Sequence, residues 1–275
     1  MANYNTSDIK ALRESSGAGM MDVKRALDEA DGDQGKATEI LRVKGLKGVT
    51  KREGRSATNG LVVAHAGKGV GTLVEVNCET DFVAKGDKFI ALANQVLAHA
   101  VNVGASSADE LLASDMDGKS VKQILDEANA TIGEKIEVRR VGRLEASNVV
   151  SYLHKTSPDL PAQIGVLMAT DGGDEVTARD IAMHVAAFSP TVLSRDEIDA
   201  ETVANERRVA EATAKEEGKP EAAMPRIIEG RVNGFFKENV LLEQAFAKDA
   251  KKTVAKVLEE SGATARGFVR FRVGS

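Results

Sequence analysis

The chain has 275 residues, a formal net charge of −5, 42% hydrophobic residues and 29% charged residues. This length suits two domains or one domain with attachments, and the negative charge excludes a bulk attraction to nucleic acid. No apolar run approaches the roughly 18 residues of a membrane-spanning helix, the N-terminus has no signal pattern, and a single cysteine, Cys78, excludes an intrachain disulfide framework. We therefore expect a cytoplasmic protein.

The first 45 residues carry the pattern of three short helices. The predicted helices are "DIKALRESSG" with Thr6 as its cap, "MMDVKRALDEA", and "QGKATEILRVKG", which Asp33 caps and Gly45 ends. The segment that follows, "KGLKGVTKREGRSATNG", is rich in glycine and basic residues and predicts a linker. We therefore assign residues 1–54 to an N-terminal three-helix domain and its linker.

The remaining sequence contains an internal repeat. Residues 60–77 and 148–172 each have the pattern of two strands joined by a turn. Each pair of strands is followed by an amphipathic helix, at 89–101 in the first half and at 178–188 in the second. The repeated order of elements indicates an ancient duplication.

The second part of the repeat supports the same interpretation. "KSVKQILDEANAT" (119–131) aligns without a gap on "KTVAKVLEESGAT" (252–264), and a final strand follows each of them. Strand pairs followed by helices are typical of antiparallel sheets with helices on one face. The sequence therefore predicts an α+β fold with a duplicated core, divided into core subdomain N (55–145) and core subdomain C (146–275).

The second half also carries a long charged insert. Residues 195–217 are highly charged, "GKP" follows as a turn, and 221–238 return, which predicts a projecting helical hairpin within 190–238. Pro225 and Gly234 predict a shortened or kinked second helix. A solvated surface hairpin and an arm for self-association or partner contact are equally open alternatives.

Most motifs for covalent chemistry or nucleotide binding are absent. The chain has no phosphate-binding loop, no zinc spacing around its four histidines, and no nucleophile elbow. "GKGVG" (67–71) lies between two strands, so a hairpin turn explains it better than a nucleotide-binding enzyme does. We expect no enzyme activity in the covalent sense, no metal site and no cofactor.

One basic segment leaves an RNA-binding alternative open. "GLKG" (45–48) matches the GXXG loop of RNA-binding KH modules and is flanked by arginines and lysines. A glycine stop after the third helix followed by a solvated linker explains the same residues. An RNA-binding module that uses residues 42–55 is therefore the alternative function.

An aromatic residue lies at a junction between a strand and a helix. Residues 73–87, "LVEVNCETDFVAKGD", begin as a strand and then break their alternating pattern at the "TDFV" segment. Asp81 and Thr80 are both candidates for the helix cap. From the residues alone, Phe82 is either a core residue that folds back at the junction or an exposed functional residue.

Several motifs in order resemble a known family. "SSGAGMMDVKRALDEADGD", "VEVNCETDFVAK", "IAMHVAAFSP", "EGRVNGFF" and "GFVRFRVG" are similar in sequence, order and spacing to bacterial elongation factor Ts, and the resemblance covers essentially the whole chain. That family exchanges guanine nucleotides on elongation factor Tu. The resemblance implies a ubiquitin-associated-like N-terminal domain, two related core subdomains and a hairpin that dimerises.

The resemblance also implies which residues act. The residues that match its exchange-active segment are Thr80, Asp81, Phe82 and Val83. The implied mechanism is that Phe82 enters beside the magnesium ion and phosphates of elongation factor Tu, so that GDP leaves faster.

Further residues match family positions that contact the partner. Met20, Met21 and Lys24 match the "GMMDxK" segment, which approaches the nucleotide-binding domain of elongation factor Tu. Met21 could instead be a core residue of the helical domain. Gly133 and His154 match positions near the partner surface, although the turn after His154 is longer here than in the common pattern.

Overall fold

The computed structural model of the chain describes residues 3–16, 18–67 and 69–275, without the side chains of 46–51. This described part contains both helices and antiparallel sheets. The predicted α+β class is therefore confirmed.

The N-terminal region folds into α1 (Thr6–Ser16), α2 (Met20–Glu29) and α3 (Gln34–Arg52). Their buried apolar side chains form a small core of their own. Asn5 caps α1, because its Oδ1 accepts hydrogen bonds from the backbone N–H groups of Ser7 at 2.7 Å and Asp8 at 3.1 Å. The prediction that Thr6 caps this helix was wrong by one position.

The first half of the core contains the following elements in chain order: β1 (Asn59–Gly67), β2 (Val70–Cys78), α4 (Asp81–Ala84), α5 (Asp87–Val103), α6 (Ala108–Ala113), β3 (Asp115–Met116), β4 (Lys119–Ser120), α7 (Val121–Ile132) and β5 (Ile136–Glu145). β1, β2 and β5 form an antiparallel sheet in that order. Apolar side chains from one face of this sheet pack against α5, α6 and α7.

The second half contains a matching series of elements: β6 (Asn148–His154), β7 (Ile164–Gly172), α8 (Glu175–Phe188), α9 (Ala200–Glu216), α10 (Met224–Asn239), β8 (Ala245–Phe246), β9 (Asp249–Thr253), α11 (Val254–Ser261) and β10 (Ala263–Arg272). β6, β7 and β10 form the second antiparallel sheet. In each half, the middle strand of the sheet is the second strand of that half in chain order, and the last strand of the half pairs with it. A duplication predicts this shared order.

The two sheets pack against each other through their remaining faces. Val62 and Leu73 from the first sheet meet Leu167 and Phe271 from the second in one buried cluster. This contact explains why all but the first residue of β2 are buried, since both faces of that strand are covered.

The third helix is longer than the sequence predicted. Asp33 caps α3 as expected, but the helix continues through Gly45 to Arg52. Gly45 faces α7 so closely that an added Cβ would lie 2.7 Å from the Cβ of Ala130. The predicted helix end at Gly45 was wrong because this glycine serves helix packing instead of termination.

The same helix overturns the GXXG prediction. Residues 45–48 lie inside continuous α-helix and form no loop between elements. The side chains of Lys47 and Lys51 lie outside the described residues.

α9 and α10 pair as the predicted hairpin. Buried Ala210 and Ala214 lie on the α9 side of the contact, and Val232 and Phe236 are buried on α10. Pro225 lies in the first turn of α10, where a missing N–H costs little, and the helix continues unbroken past Gly234. The predicted shortening of α10 was therefore wrong.

The described helices do not include a membrane-spanning helix. None of them, within residues 3–16, 18–67 and 69–275, is long and apolar enough to cross a bilayer.

Candidate functional site

Residues 80–83 form a tight turn of helix directly after β2. The strand ends at Cys78, and α4 begins at Asp81. Thr80 is the cap, because its Oγ1 accepts a hydrogen bond from the backbone N–H of Val83 at 3.3 Å. Asp81 instead lies in the first turn, where its carboxylate meets Lys85 Nζ at 3.5 Å. Of the two predicted cap candidates, Thr80 is the one the structure supports.

Phe82 is presented to solvent. Its side chain is 75% exposed, while Val83 is half-buried against the first-half core and Ala84 is fully buried. Lys85 Nζ lies 5.9 Å from the Phe82 ring centre, a distance at which a cation and an aromatic face attract weakly. The alternative that Phe82 folds back into the core was wrong.

Two carboxylates hold the backbone around this turn, and we call Glu79 and Glu134 the acidic clamp. Glu134 accepts hydrogen bonds from the Thr80 backbone N–H at 3.1 Å and from the Thr80 hydroxyl at 2.7 Å. In the opposite direction, Glu79 accepts the Lys135 backbone N–H at 2.7 Å and lies 3.3 Å from the Arg55 guanidinium. The acidic clamp therefore joins the end of β2 to the turn between α7 and β5.

The acidic clamp begins where the backbone ladder ends. The last paired residues of β2 and β5 are Cys78 and Ile136. Beyond this pair the backbones of the two strands no longer pair, and side-chain carboxylates replace backbone carbonyls as hydrogen-bond acceptors.

Gly133 makes the turn that delivers Glu134. It ends α7 in the left-handed conformation, with φ of 87°, and its N–H donates to the Asn129 carbonyl at 3.0 Å. A residue with a Cβ is strained at this φ, although space around the position is open. Gly133 thus directly precedes Glu134, the hydrogen-bonded partner of Thr80, and it holds a backbone conformation that favours glycine.

Cys78 lies beneath the same turn. The side chain is fully buried, and its Sγ–H donates to the Thr80 carbonyl at 3.2 Å. Burial raises the pKa of this thiol to about 12, and the negative charge of Glu134 adds to the effect. Cys78 is therefore a neutral packing residue near neutral pH.

Met20, Met21 and Lys24 lie on the exposed face of α2. The two methionines are 58% and 64% exposed, and Lys24 is exposed as well. Val23 and Leu27 form the buried face of this helix. The alternative that Met21 is a core residue was wrong, and the two methionines form an apolar, flexible surface.

His154 ends β6 with an exposed side chain. Its Nδ1 lies 3.1 Å from the Tyr152 hydroxyl. The neighbouring Leu153 is 41% exposed and lines a surface groove together with Lys85, the residue that follows α4. The end of β6 and the end of α4 therefore border the same groove.

The basic segment 42–55 makes contacts within the chain. Its described cationic side chains bind acceptors as follows: Arg42 to Glu127, Lys44 to Glu29, Arg52 to the Asn129 carbonyl, and Arg55 to Glu79. With the GXXG loop replaced by helix, the described residues give the RNA-binding alternative no structural support.

The structure shows no sign of a metal site or of a phosphate-binding loop in the described residues. Within residues 3–16, 18–67 and 69–275, no group of three or more His, Cys, Asp or Glu side chains is arranged to hold a metal ion. β1 and β2 form a hairpin in which Gly67 pairs with Val70, so that Gly69 lies in the turn between the strands, as predicted. Lys68 lies outside the described residues.

The acidic clamp escaped the sequence analysis. Glu79 reads as one more residue of the strand, and Glu134 as a polar residue in a loop. The sequence signal was a glycine followed by a glutamate at the end of a helix, Gly133 and Glu134. This pair lies opposite Thr80, which follows the end of β2. That signal becomes visible only when the register of β2 and β5 is known.

Comparisons with known proteins agree on one family. A family model described as "Elongation factor TS" matches residues 79–275. Similar curated proteins named "Elongation factor Ts" include those of Arthrobacter sp. (strain FB24), 61% identical over 278 residues, Pseudarthrobacter chlorophenolicus, 60% identical, and Micrococcus luteus, 60% identical. Each of these alignments covers 100% of this chain and 100% of the relative.

Proposed function

Because the chain belongs to the elongation factor Ts family, and so serves as a nucleotide exchange factor for elongation factor Tu, we propose that Phe82 is the group that drives GDP release. One observation carries this proposal: an aromatic side chain that is 75% exposed on a backbone fixed by the Thr80 cap and the Glu134 carboxylate. Exposed apolar groups on ordered backbone are typical of contact sites. Phe82 fits an aromatic anchor that becomes buried only in the complex.

The proposed target is the magnesium and phosphate region of the partner. GDP is held largely by contacts to its phosphates, and the bound cation is among the largest local charges in such a site. A ring inserted beside that region displaces the backbone and side chains that hold the ion. Thr80, Asp81 and Val83 form the turn that carries the ring, and Lys85 keeps Asp81 paired on the surface.

The exchange itself is a matter of differential binding and involves no covalent step. The chain must bind nucleotide-free partner more tightly than GDP-bound partner, and by linkage GDP must weaken the chain's affinity by the same factor. GTP then binds to the emptied partner and releases the chain. The protein accelerates a binding equilibrium and catalyses no chemical reaction.

We assign the remaining contacts to docking on the partner. Met20, Met21 and Lys24 offer an adaptable exposed face on α2. His154 lies beside the groove that reaches Lys85, and Gly133 ends the helix that leads into the acidic clamp. These surfaces set affinity in the proposal, whereas Phe82 sets the rate of GDP release. The same proposal keeps the domain limits 1–54, 55–145 and 146–275.

The hairpin of α9 and α10 is a separate proposed contact arm, through which two copies of the chain would associate. Its ion pairs Arg207–Glu229 and Arg231–Glu217 join the two helices to each other, and Val209 remains 45% exposed on α9. Light scattering across a concentration series tests this contact arm. If the hairpins dimerise, the measured mass should rise with concentration to twice that of one chain, and Val209→Glu should lower it.

The principal experiment is stopped-flow release of fluorescent GDP from elongation factor Tu. We expect the wild-type chain to accelerate GDP release. At saturation, the release rate with Phe82→Ala should be at least about tenfold lower than with wild type, while the affinity of the variant for nucleotide-free partner falls by a smaller factor. Val176→Ala is the matched control, since it truncates a side chain that is 69% exposed on α8. Equal acceleration by wild type and Phe82→Ala would show that Phe82 is not the driving group.

A further inference from the structure

We infer that Glu134 is a positioning residue for exchange, which holds the turn under Phe82 in the conformation that the partner binds. This inference rests on the proposed role of Phe82. It assigns a function to a side chain outside the 80–83 segment, on a different strand connection 54 residues further along the chain.

The first step is that Phe82 has little support of its own. Its described neighbour on the surface is Lys85, at a distance that gives only a weak attraction. The position of the ring is therefore set by the backbone of α4, a helix of four residues. So short a helix has no stability of its own and depends on its cap and on tertiary contacts.

The second step is that Glu134 organises that cap. Both carboxylate oxygens are used on Thr80, one for the backbone N–H and one for the hydroxyl. Because the hydroxyl proton points to Glu134, the lone pairs of Thr80 Oγ1 are free to accept the Val83 N–H. The three groups form one chain of donated hydrogen bonds that runs from the Val83 N–H through the Thr80 hydroxyl to Glu134.

The third step concerns binding. A turn that is already ordered loses less conformational entropy when a partner binds than a turn that fluctuates. Loss of the carboxylate would leave the core contact of Ala84 intact, since that residue is fully buried. It would release Thr80 and Val83, which flank Phe82 on both sides. The expected defect is thus local to the turn.

The test is a double-mutant cycle between Glu134→Gln and Phe82→Ala, read by stopped-flow GDP release from elongation factor Tu. We expect Glu134→Gln alone to reduce the accelerated release about three- to tenfold, the scale of one or two surface hydrogen bonds. In the Phe82→Ala background, we expect Glu134→Gln to have almost no further effect, because the group it positions is gone. Full additivity of the two changes would overturn the inference.

Two variants of Thr80 test whether the effect passes through its hydroxyl. Thr80→Val removes the hydroxyl and should match Glu134→Gln, whereas the conservative variant Thr80→Ser keeps it and should recover most of the exchange that Thr80→Val loses. A Thr80→Val variant that exchanges as well as wild type would contradict the inference. Glu259→Gln serves as the charge-matched control, because its partner is Lys256 on α11, in the second half of the chain.

Hydrogen exchange of backbone amides gives a readout independent of activity. Glu134→Gln should speed exchange at the Thr80 and Val83 amides and leave the amides of the β2 ladder protected. If wild type accelerates GDP release but Phe82→Ala does so equally well, the proposed function fails, yet this local loss of protection is still expected. If protection of Thr80 and Val83 is unchanged in Glu134→Gln, the positioning role is wrong whatever Phe82 does.

Discussion

The two halves of the core share one order of elements but differ just beyond the ends of their sheets. In both halves the ladder between the middle strand and the last strand reaches the last residue of the middle strand, Cys78 in the first half and Gly172 in the second. Beyond this point the second half has two glycines, Gly173 and Gly262, which have no side chains. The first half has the acidic clamp there, and its carboxylates continue the contact between the two elements.

The helices that precede the last strands explain this difference. α7 has 12 residues and α11 has 8. In the gap-free alignment of the two segments, Asn129 corresponds to Gly262, the glycine that ends α11. With asparagine at this position, α7 continues for another turn to Gly133, and the connection to the strand then includes Glu134.

The connections after the middle strands differ in the same way. β7 leads through Gly172 and Gly173 to Asp174, which caps the long helix α8 directly. β2 leads to Thr80 and the extra turn α4 before α5 begins. The exposed Phe82 and the acidic clamp are therefore features of the first half that distinguish it from the second half of the same scaffold.

The largest effect on stability is expected where the N-terminal helices meet this specialised half. Gly45→Leu would place a Cβ 2.7 Å from the Ala130 Cβ and force α3 away from α7. We expect a loss of about 1–3 kcal/mol in the free energy of unfolding, measured by urea denaturation. Gly230→Leu is the control, because apart from its chain neighbours and the nearby backbone of its own helix, no atom lies within 4 Å of that added Cβ. Equal stability of the two variants would contradict the close packing of α3 on α7.

A matched pair of glycines separates stability from exchange. Gly133 and Gly262 end α7 and α11 with φ of 87° and 69°. Changing either to alanine should cost about 1 kcal/mol of unfolding free energy, because alanine is strained at positive φ. Only Gly133→Ala should also slow GDP release from the partner, since it disturbs the turn that carries Glu134. Equal exchange activity in both variants would remove the distinction between the two halves.

The smallest expected effect belongs to a buried histidine of the second half. His184 accepts the Ala247 N–H at Nδ1 and donates from Nε2 to Gln244, and burial lowers its pKa from the usual 6.5. The unfolded chain therefore binds more protons than the folded chain just below that pH. Stability should fall as pH is lowered through about 6.5 toward the depressed value. The unfolding temperature of His184→Gln should depend less steeply on pH in this range than that of wild type. An equal dependence on pH in the two proteins would contradict the role assigned to His184.

Much of the architecture could be predicted from the sequence, because the spacing of apolar residues and the presence of turn residues are local signals. The paired hairpins, the matching helices and the α9–α10 arm all follow from such patterns. The end of α3 could not be predicted, because the role of Gly45 depends on Ala130, a residue far away in sequence. The same limit hid the unbroken length of α10, where Pro225 falls in the first turn.

The candidate site was predictable in its residue types but not in its geometry. Local sequence marked Phe82 as unusual, yet it left a buried and an exposed position open. The turn that carries Phe82 is hydrogen-bonded through Thr80 to Glu134, and this contact spans 54 positions. The identity of the partner came from resemblance and comparison, because no local rule of folding specifies it.

The most direct test of the account is the magnesium dependence of the Phe82 effect. Stopped-flow release of fluorescent GDP from elongation factor Tu would be measured with wild type and with Phe82→Ala, each at saturation, in excess magnesium and after chelation of magnesium. If Phe82 acts on the magnesium and phosphate region, the advantage of wild type should be large with magnesium and should nearly vanish without it. An advantage of the same size in both conditions would contradict the account.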